Sequence, residues 1–504
     1  MRRGNLGRKS LLLVGSTWGH SALALLVSVM IARRLGPAAV GMIALNLGFT
    51  GLVMAALVPG FAQAHLKRLA EGQDPGRCLG TMLAIQTALT ALLVPAVALA
   101  WTRLGTREEA LVFVFMLGAQ VSGRFSDVYL RVFLSRELVV PHAAIMLGAR
   151  VARLVLTVAV LIWLPQVTAV AATFWLEGLL AAGAAAVLLA SRYGVRPARP
   201  TRASVAGYWS YARPFFVTTP IALVQDSIDR FLVGRWAGLT AAGHYHVARA
   251  LWEVLASVMA PPGVLLFTRL SSLYATRSAE RDRQARELFF RGMDKVLFLT
   301  TTLAVGFWAL ARPVITALYG EPFADAATAL RIFVLAAIAA NVVNPYTFVI
   351  QAQDQNARFI PVNVLRLAVY LGCLALLVPV PPLIPPLPGG DAGAATARLL
   401  LILFPAWVYV RWTRELAGIP FYRPAALYAL AFALAVGVYG VTRVLARPLG
   451  EPASLALSTA IAFAVHLLVL LVAHPGTRDN LREARSLLSP RQFRDLVRSG
   501  FGDR

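Results

Sequence analysis

Charge is what this chain has least of. Only 14% of its 504 residues are Asp, Glu, Lys or Arg, where a soluble chain of that length carries about a quarter. Cysteine is nearly absent as well. Cys78 and Cys373 stand alone, with no partner at metal-ligand spacing, so they read as packing thiols in or beside apolar helices. The sequence has no G-x-S-x-G elbow, no Walker A loop and no His/Cys cluster. Each of those carries a recognisable chemistry, and without them no enzyme activity, cofactor or metal is expected.

Apolar residues fill the space. They make up 58% of the chain and come in blocks of roughly 20, each long enough to cross a ~30 Å hydrocarbon core. The blocks fall at 10–32, 40–62, 78–101, 109–133, 142–164, 168–190, 209–235, 240–268, 290–318, 324–350, 357–378, 391–413, 424–445 and 452–473. The pattern predicts an all-α polytopic membrane protein with about fourteen transmembrane helices. The opening MRRGNLGRKS is basic. The run Ser10–Ala32 is long for a signal-peptide core and shows no small-residue cleavage site, so it reads as a first span that starts inside.

A net charge of +24 would suggest nucleic acid in a soluble protein. Here the basic residues gather in alternate loops. Roughly 30 fall on one side and about 7 on the other, the asymmetry expected of cytoplasmic and outer loops. The inner set includes Lys67, Arg68, Arg192, Arg196, Arg199, Arg202, Arg277, Arg281, Arg283, Arg286, Arg411 and Arg414; the outer set is Arg33, Arg34, Arg103, Arg107, Arg235, Arg443 and Arg447. Both termini are expected in the cytoplasm, with the bilayer and not nucleic acid as partner.

Two breaks share one spelling. RRLGPAAVG (33–41) separates the first two blocks, and RWAGLTAAG (235–243) separates the seventh and eighth. The offset of 202 runs without a gap, from Arg33 to Arg235, Pro59 to Pro261 and Lys67 to Arg269. Gly36 suits a helix C-terminus and Pro37 the first turn of the next helix. The repeat predicts a duplication whose copies run in parallel, related by an axis along the membrane normal. The expected organisation is an N-lobe of six helices (1–190), a basic linker (191–208), a C-lobe of six helices (209–413), two extra helices (414–473) and a basic tail (474–504). The loop PVPPLIPPLPGG (379–390) reads as a stiff extended connection.

Ionisable residues inside membrane spans are costly and mark pathways by default. Several share one helical face. Gln120, Arg124, Asp127 and Arg131 do so on span 4, and His142, Arg150, Arg153 and Thr157 on span 5. Span 7 carries Gln225, Asp226, Asp229 and Arg230; span 8 carries His246, Arg249, Glu253 and Ser257; span 11 carries Asn363, Arg366 and Tyr370. The pattern predicts one aqueous cavity, with arginines in excess of acids and so positive toward its middle. Guanidinium forks match phosphate oxygens, which points to an anionic cargo. Candidate ligands are Arg249, Arg150, Arg153, Arg124 and Arg366, joined by His20 and Asn46. The alternative for Asp226, Asp229, Arg230, Glu253 and Asp127 is mutual neutralisation in structural ion pairs, or a coupling role. For the lone His20 and Asn46 the alternative is helix–helix hydrogen bonding.

IARRLGPAAVGMIAL (31–45) and IDRFLVGRWAGLTAAGHYHVARAL (228–251) resemble the Wzx-type polysaccharide flippases, of the superfamily that includes lipid-II flippases and MATE antiporters. The shared patterns are A-R-x-L-G-x-x-x-x-G and D-R-x-x-x-G-x-x-x-G-x-x-x-x-G-x-Y, kept here through Asp229, Arg230, Gly234, Gly238, Gly243 and Tyr245. The resemblance implies a monomer in the cell (inner) membrane that exports a polyprenyl-linked oligosaccharide by alternating access, beside glycan polymerase machinery. Arg249 is the position it carries over to the phosphate end of the cargo. Span 1 lacks the arginine of lipid-II flippases and the acid of cation-coupled MATE proteins. Two alternatives stay open: a MATE-like antiporter using Asp226 or Glu253, and a membrane glycan polymerase or glycosyltransferase.

Overall fold

The computed structural model describes residues 3–57, 60–102, 106–213, 215–275, 280–379, 389–474, 476–478 and 480–481. Among them are seventeen α-helices and no β-strand. In hydrocarbon every backbone N–H and C=O must be satisfied within the segment, and a helix does so. The helices are α1 (Arg3–Leu57), α2 (Phe61–Ala70), α3 (Pro75–Thr102), α4 (Arg107–Ser135), α5 (Val139–Trp163), α6 (Val167–Arg192), α7 (Arg202–Ala212), α8 (Phe215–Trp236) and α9 (Leu239–Ala275). They continue as α10 (Arg281–Ala309), α11 (Ala311–Tyr319), α12 (Ala326–Ala352), α13 (Phe359–Leu377), α14 (Gly390–Leu403), α15 (Ala406–Ala417), α16 (Pro424–Leu445) and α17 (Glu451–Ala473).

Ten of these stretches are long and apolar enough to cross a membrane, or eleven if α10 and α11, bent by 68°, count as one span. The chain is a multi-pass membrane protein. The helices break more often than the apolar blocks predict. Gly60, with positive φ, sets α2 off from α1, and α7 stands apart from α8. Phe404 and Pro405 divide α14 from α15. Helix α8 is absent from the ten because Asp226, Asp229, Arg230 and Arg235 dilute its hydropathy. Most of the proline-rich loop at 379–390, the tail beyond 481, Pro59 and Arg103 lie outside the described residues, as do Arg277 and the side chains of Ser257 and Pro261.

Two compact units emerge, Met1–His246 and Val247–Ser499. In the first, Phe61, Cys78, Val128, Phe133 and Tyr208 form a core on α2, α3, α4 and α7, and Phe49 stacks on Trp101 with centroids 4.2 Å apart. Much of the basic segment after α6 is ordered against this unit. Ala198 N–H donates to the Gly76 carbonyl at 2.9 Å, and Thr201 caps α7 in a reciprocal bond with Ser204. In the second unit one core gathers Phe289, Tyr346, Tyr409 and Tyr428. Another gathers Leu255, Val334 and Phe432.

The repeated breaks meet inside the first unit. Gly36 and Gly238 both take positive φ, 80° and 90°, which a side chain would disfavour. A Cβ added at Gly41 would overlap the Leu239 carbonyl, and one added at Gly243 would overlap the Pro37 carbonyl. These two contacts are images of each other under the offset of 202, since Gly41 pairs with Gly243 and Pro37 with Leu239. Gly48, Gly51 and Gly234 extend the close approach of α1 to α8, against Phe231, Ser227 and Leu45. Gly41→Val and Gly243→Val are therefore each expected to destabilise the protein by about 1–3 kcal/mol or more. The same change at Gly148, where nothing lies within 4 Å, should be tolerated. Thermal melting of the detergent-solubilised protein checks the comparison.

Candidate functional site

Three groups of charged side chains occupy the first unit. On α5, Arg150 and Arg153 are one turn apart, and both reach across to Glu177 on α6. Arg150 Nη1 donates to Glu177 Oε2 at 3.2 Å and Arg153 Nη1 donates to the same oxygen at 3.1 Å. All three are well buried, with side-chain exposures of 13%, 7% and 15%. Arg150 also contacts both ring nitrogens of His20 on α1, and Arg153 lies over the Phe174 ring, 3.3 Å from its centroid. Farther along α5, Thr157 and Thr173 bond at 3.2 Å, and His142 is buried on the same stripe. Two guanidiniums thus share one carboxylate, leaving a local surplus of one positive charge.

The second group lies where α2, α3 and α4 converge. Arg124, Asp127 and Arg131 line a narrow cleft with His65, Met82 and Gln86. Arg131 donates to Asp127 at 2.8 Å, whereas Arg124 makes no hydrogen bond or ion pair with the described residues and stays half-buried. At the foot of the cleft, His65 is fully buried between Tyr208 Oη at 2.9 Å and the Val128 carbonyl at 3.2 Å. Burial, with Arg131 adding to it, pulls the imidazole pKa down to about 4.

The third group serves the fold. Asp229 on α8 is wholly buried; it accepts from Tyr245 Oη at 2.6 Å and from the Arg230 N–H at 2.8 Å. This ties the helix before the second glycine break to the helix after it. Asp226, one turn earlier, is exposed. Asn46 is buried and bonds to its own helix, donating to the Met42 carbonyl at 2.8 Å.

In the second unit Arg249 is only 2% exposed and donates to Glu253 at 2.9 Å, the i,i+4 pair on α9. Arg366 donates to Asn363 at 3.2 Å. Arg398, absent from the predicted stripes, lies between Trp252 and Tyr370, 5.8 and 5.9 Å from their centroids. A second unpredicted residue, Asp294 on α10, is a buried hub. It accepts from Tyr422 Oη (3.0 Å), Tyr428 Oη (2.7 Å) and Asn480 Nδ2 (2.7 Å), with His474 Nε2 at 3.2 Å. A signal for such residues was present. Glu177 and Asp294 are each the only acid in their apolar block.

No group of three or more His, Cys, Asp or Glu among the described residues could hold a metal ion. The fold is similar to that of solved transporters of the MOP superfamily. A lipid II flippase, MurJ, in an inward closed conformation matches with a TM-score of 0.70 at 12% identity, over 92% of this chain and 98% of that one. An inward-facing multidrug resistance MATE family transporter matches at 0.63 and 15% identity, over 79% and 94%. A MOP-superfamily transporter from Pyrococcus furiosus, described as having a binding pocket of reversed polarity, matches at 0.53 and 13% identity, over 82% and 95%. No curated protein matches by sequence. By its residues 30–328, more than half of its length, the chain belongs to the family described as polysaccharide biosynthesis protein.

Removing a buried pair's only acid strands its cations. Glu177→Gln is therefore expected to cost about 3–5 kcal/mol of stability, seen as reduced membrane levels and a lower melting temperature. Glu177→Gln/Arg153→Met should recover much of it. His65 generates a pH dependence of definite sign. Its folded pKa of about 4 lies below the ordinary histidine value of 6.5, so it contributes nothing well above pH 6.5, where it is neutral in both states. Stability falls as the pH drops from 6.5 toward 4, by about 3 kcal/mol in full. Melting temperatures between pH 7.5 and 4 in wild type and His65→Gln isolate this component, which should vanish in the variant.

Proposed function

We propose that this protein carries a polyprenyl-(pyro)phosphate-linked oligosaccharide from the cytoplasmic to the outer leaflet by alternating access, for cell-surface polysaccharide biosynthesis. In this reading it has fourteen spans, two six-helix repeats of like orientation plus two further helices, and both termini are in the cytoplasm of the cell (inner) membrane. The reciprocal glycine contact favours like orientation, because inverted copies would put the two breaks on opposite faces. Family membership supports the polysaccharide part. The observation that carries the cargo's charge is the sharing of Glu177 by Arg150 and Arg153. It keeps a desolvated guanidinium in excess at a place of fixed geometry, the arrangement that binds phosphate oxygens.

The acids argue in the same direction. Glu177, Asp127 and Glu253 each hold an arginine, and Asp229 holds Tyr245, so the cation-coupled antiporter reading gains least from this arrangement. Ligand roles are assigned to Arg150, Arg153 and Arg124, with His20 orienting Arg150. Arg249 and Glu253 form a pair that screens rather than binds, and Arg366 and Arg398 are further cations of the second unit.

Arg150 is the discriminating position, because its loss leaves Arg153 and Glu177 matched one to one. Arg150→Ala is expected to insert at wild-type levels yet lower glycan export per inserted molecule by about ten- to a hundredfold, the worth of a charge-assisted hydrogen bond. Arg150→Lys should keep part of the activity, since an ammonium lacks the fork. Export of surface glycan in a transport-deficient host measures both. Unchanged export from Arg150→Ala at equal protein levels overturns the ligand role.

A further inference from the structure

The second unit carries a site that the transport reading does not use. Helix α15 follows the break at Phe404–Pro405 and is amphipathic, burying Tyr409, Thr413 and Ala417. Its other face, with the turn at 420–423, walls an open cleft of about 740 Å³ lined by Trp407, Arg411, Arg414, Glu415, Phe421 and Arg423. That volume lies within the usual range of small-molecule sites. Charge in the cleft is unbalanced. Arg411 donates to Glu415 at 2.9 Å and stacks over Trp407 at 5.5 Å, and Glu415 is also 4.0 Å from Arg358. The guanidiniums of Arg414 and Arg423 have no carboxylate or hydrogen-bond partner among the described residues. Trp407 is 68% and Phe421 44% exposed, so two cations line a space with two largely exposed aromatic rings.

The cleft is held in shape from behind. Within residues 419–423, Ile419 and Tyr422 are buried while Pro420, Phe421 and Arg423 are exposed. The Tyr422 N–H donates to Tyr346 Oη at 2.8 Å, and Tyr422 Oη donates to Asp294 at 3.0 Å. One buried side chain thus fixes the turn whose neighbours line the cleft. The Gly418 carbonyl accepts from Arg286 at 2.6 Å, which brings the start of α10 to the same end. With Arg281, Arg283 and Arg358 nearby in sequence or contact, this is the arginine-rich end of the unit, where cytoplasmic headgroups lie under the positive-inside rule.

We propose that this cleft binds an anionic phospholipid of the cytoplasmic leaflet. Arg414 and Arg423 take the phosphate, while Trp407 and Phe421 lie along the glycerol and the first acyl carbons. Basic pockets at the cytoplasmic ends of membrane helices bind anionic headgroups, and an interfacial tryptophan suits the boundary between headgroup and chain. A soluble anion would satisfy the arginines but leave both rings in water. The naming of the leaflet rests on the orientation proposed above; the site itself does not.

Native mass spectrometry of the full-length, delipidated protein, titrated with phosphatidylglycerol or phosphatidylcholine, tests the site. Wild type should prefer phosphatidylglycerol. Arg414→Gln/Arg423→Gln should weaken that lipid's binding by about thirtyfold, the combined worth of two surface cations near an anionic headgroup, and leave phosphatidylcholine unchanged. Both side chains are exposed, so an unaltered melting temperature is expected, and Arg414→Lys/Arg423→Lys should keep most of the preference. An unchanged preference in the glutamine pair overturns the proposal. Competition by soluble glycerophosphoglycerol as strong as by the intact lipid overturns the lipid in favour of a free phosphate site. Trp407→Ala/Phe421→Ala should weaken the lipid alone. Orientation is read separately in intact cells, with Arg414→Cys and the native Cys78 and Cys373 replaced by alanine. Labelling by an impermeant thiol reagent from outside would overturn the orientation and the leaflet, while a retained lipid preference would uphold the phosphate site.

Discussion

An arginine taken into a hydrocarbon layer keeps its charge, because its pKa lies beyond the reach of ordinary burial. The protein must therefore supply what water no longer does, and much of the interior follows from this demand. Arg249 is met by an acid on its own helix, one turn away. Arg398 is met by the faces of Trp252 and Tyr370. Arg150 and Arg153 divide a single acid, with His20 and Phe174 completing their surroundings. The first matches one carboxylate to one guanidinium, and the second offers ring faces that carry no formal charge. The third leaves one guanidinium in excess, because one carboxylate cannot neutralise two.

The glycine contacts answer a different constraint, the distance at which two helices can pass. Where α1 approaches α8 and the start of α9, a Cβ would overlap a backbone carbonyl at both Gly41 and Gly243, so backbone packs against backbone. Each of the two similar breaks supplies the glycine that the other's carbonyl requires. A substitution in one copy is then structurally equivalent to the same substitution in the other.

Much of the membrane plan was legible before any coordinates. Apolar block length located the helices, and the offset of 202 located two breaks that fold against each other. The stripes on spans 4, 8 and 11 picked out residues that do bond to one another: Asp127 with Arg131, Arg249 with Glu253 and Asn363 with Arg366. Pairings between helices were hidden. The span 5 arginines have no acid on their own helix, and only the packing of α5 on α6 brings Glu177 to them. Helical periodicity reports which face a residue occupies and not what the neighbouring helix offers it. Asp294 escaped for the same reason, since its partners come from α16 and from segments more than a hundred residues away. The breaks at Gly60 and Phe404–Pro405 were invisible to a hydropathy count, which runs through a kink as readily as through a straight helix.

Acids and arginines divide the work between them. The two most deeply engaged acids, Asp229 and Asp294, accept from tyrosine hydroxyls and fasten helices together. A carboxylate so saturated with donors has few lone pairs left for a transported cation or a moving proton. Arg124, Arg414 and Arg423 show the opposite condition: cations without a paired acid among the described residues. A protein organised for cation coupling would be expected to leave its acids open and its arginines paired. Here Asp229 and Asp294 are spent on structure, and the surplus at the Arg150–Arg153 pair and at the arginine-rich end is cationic, the balance on which the proposed anionic cargo rests.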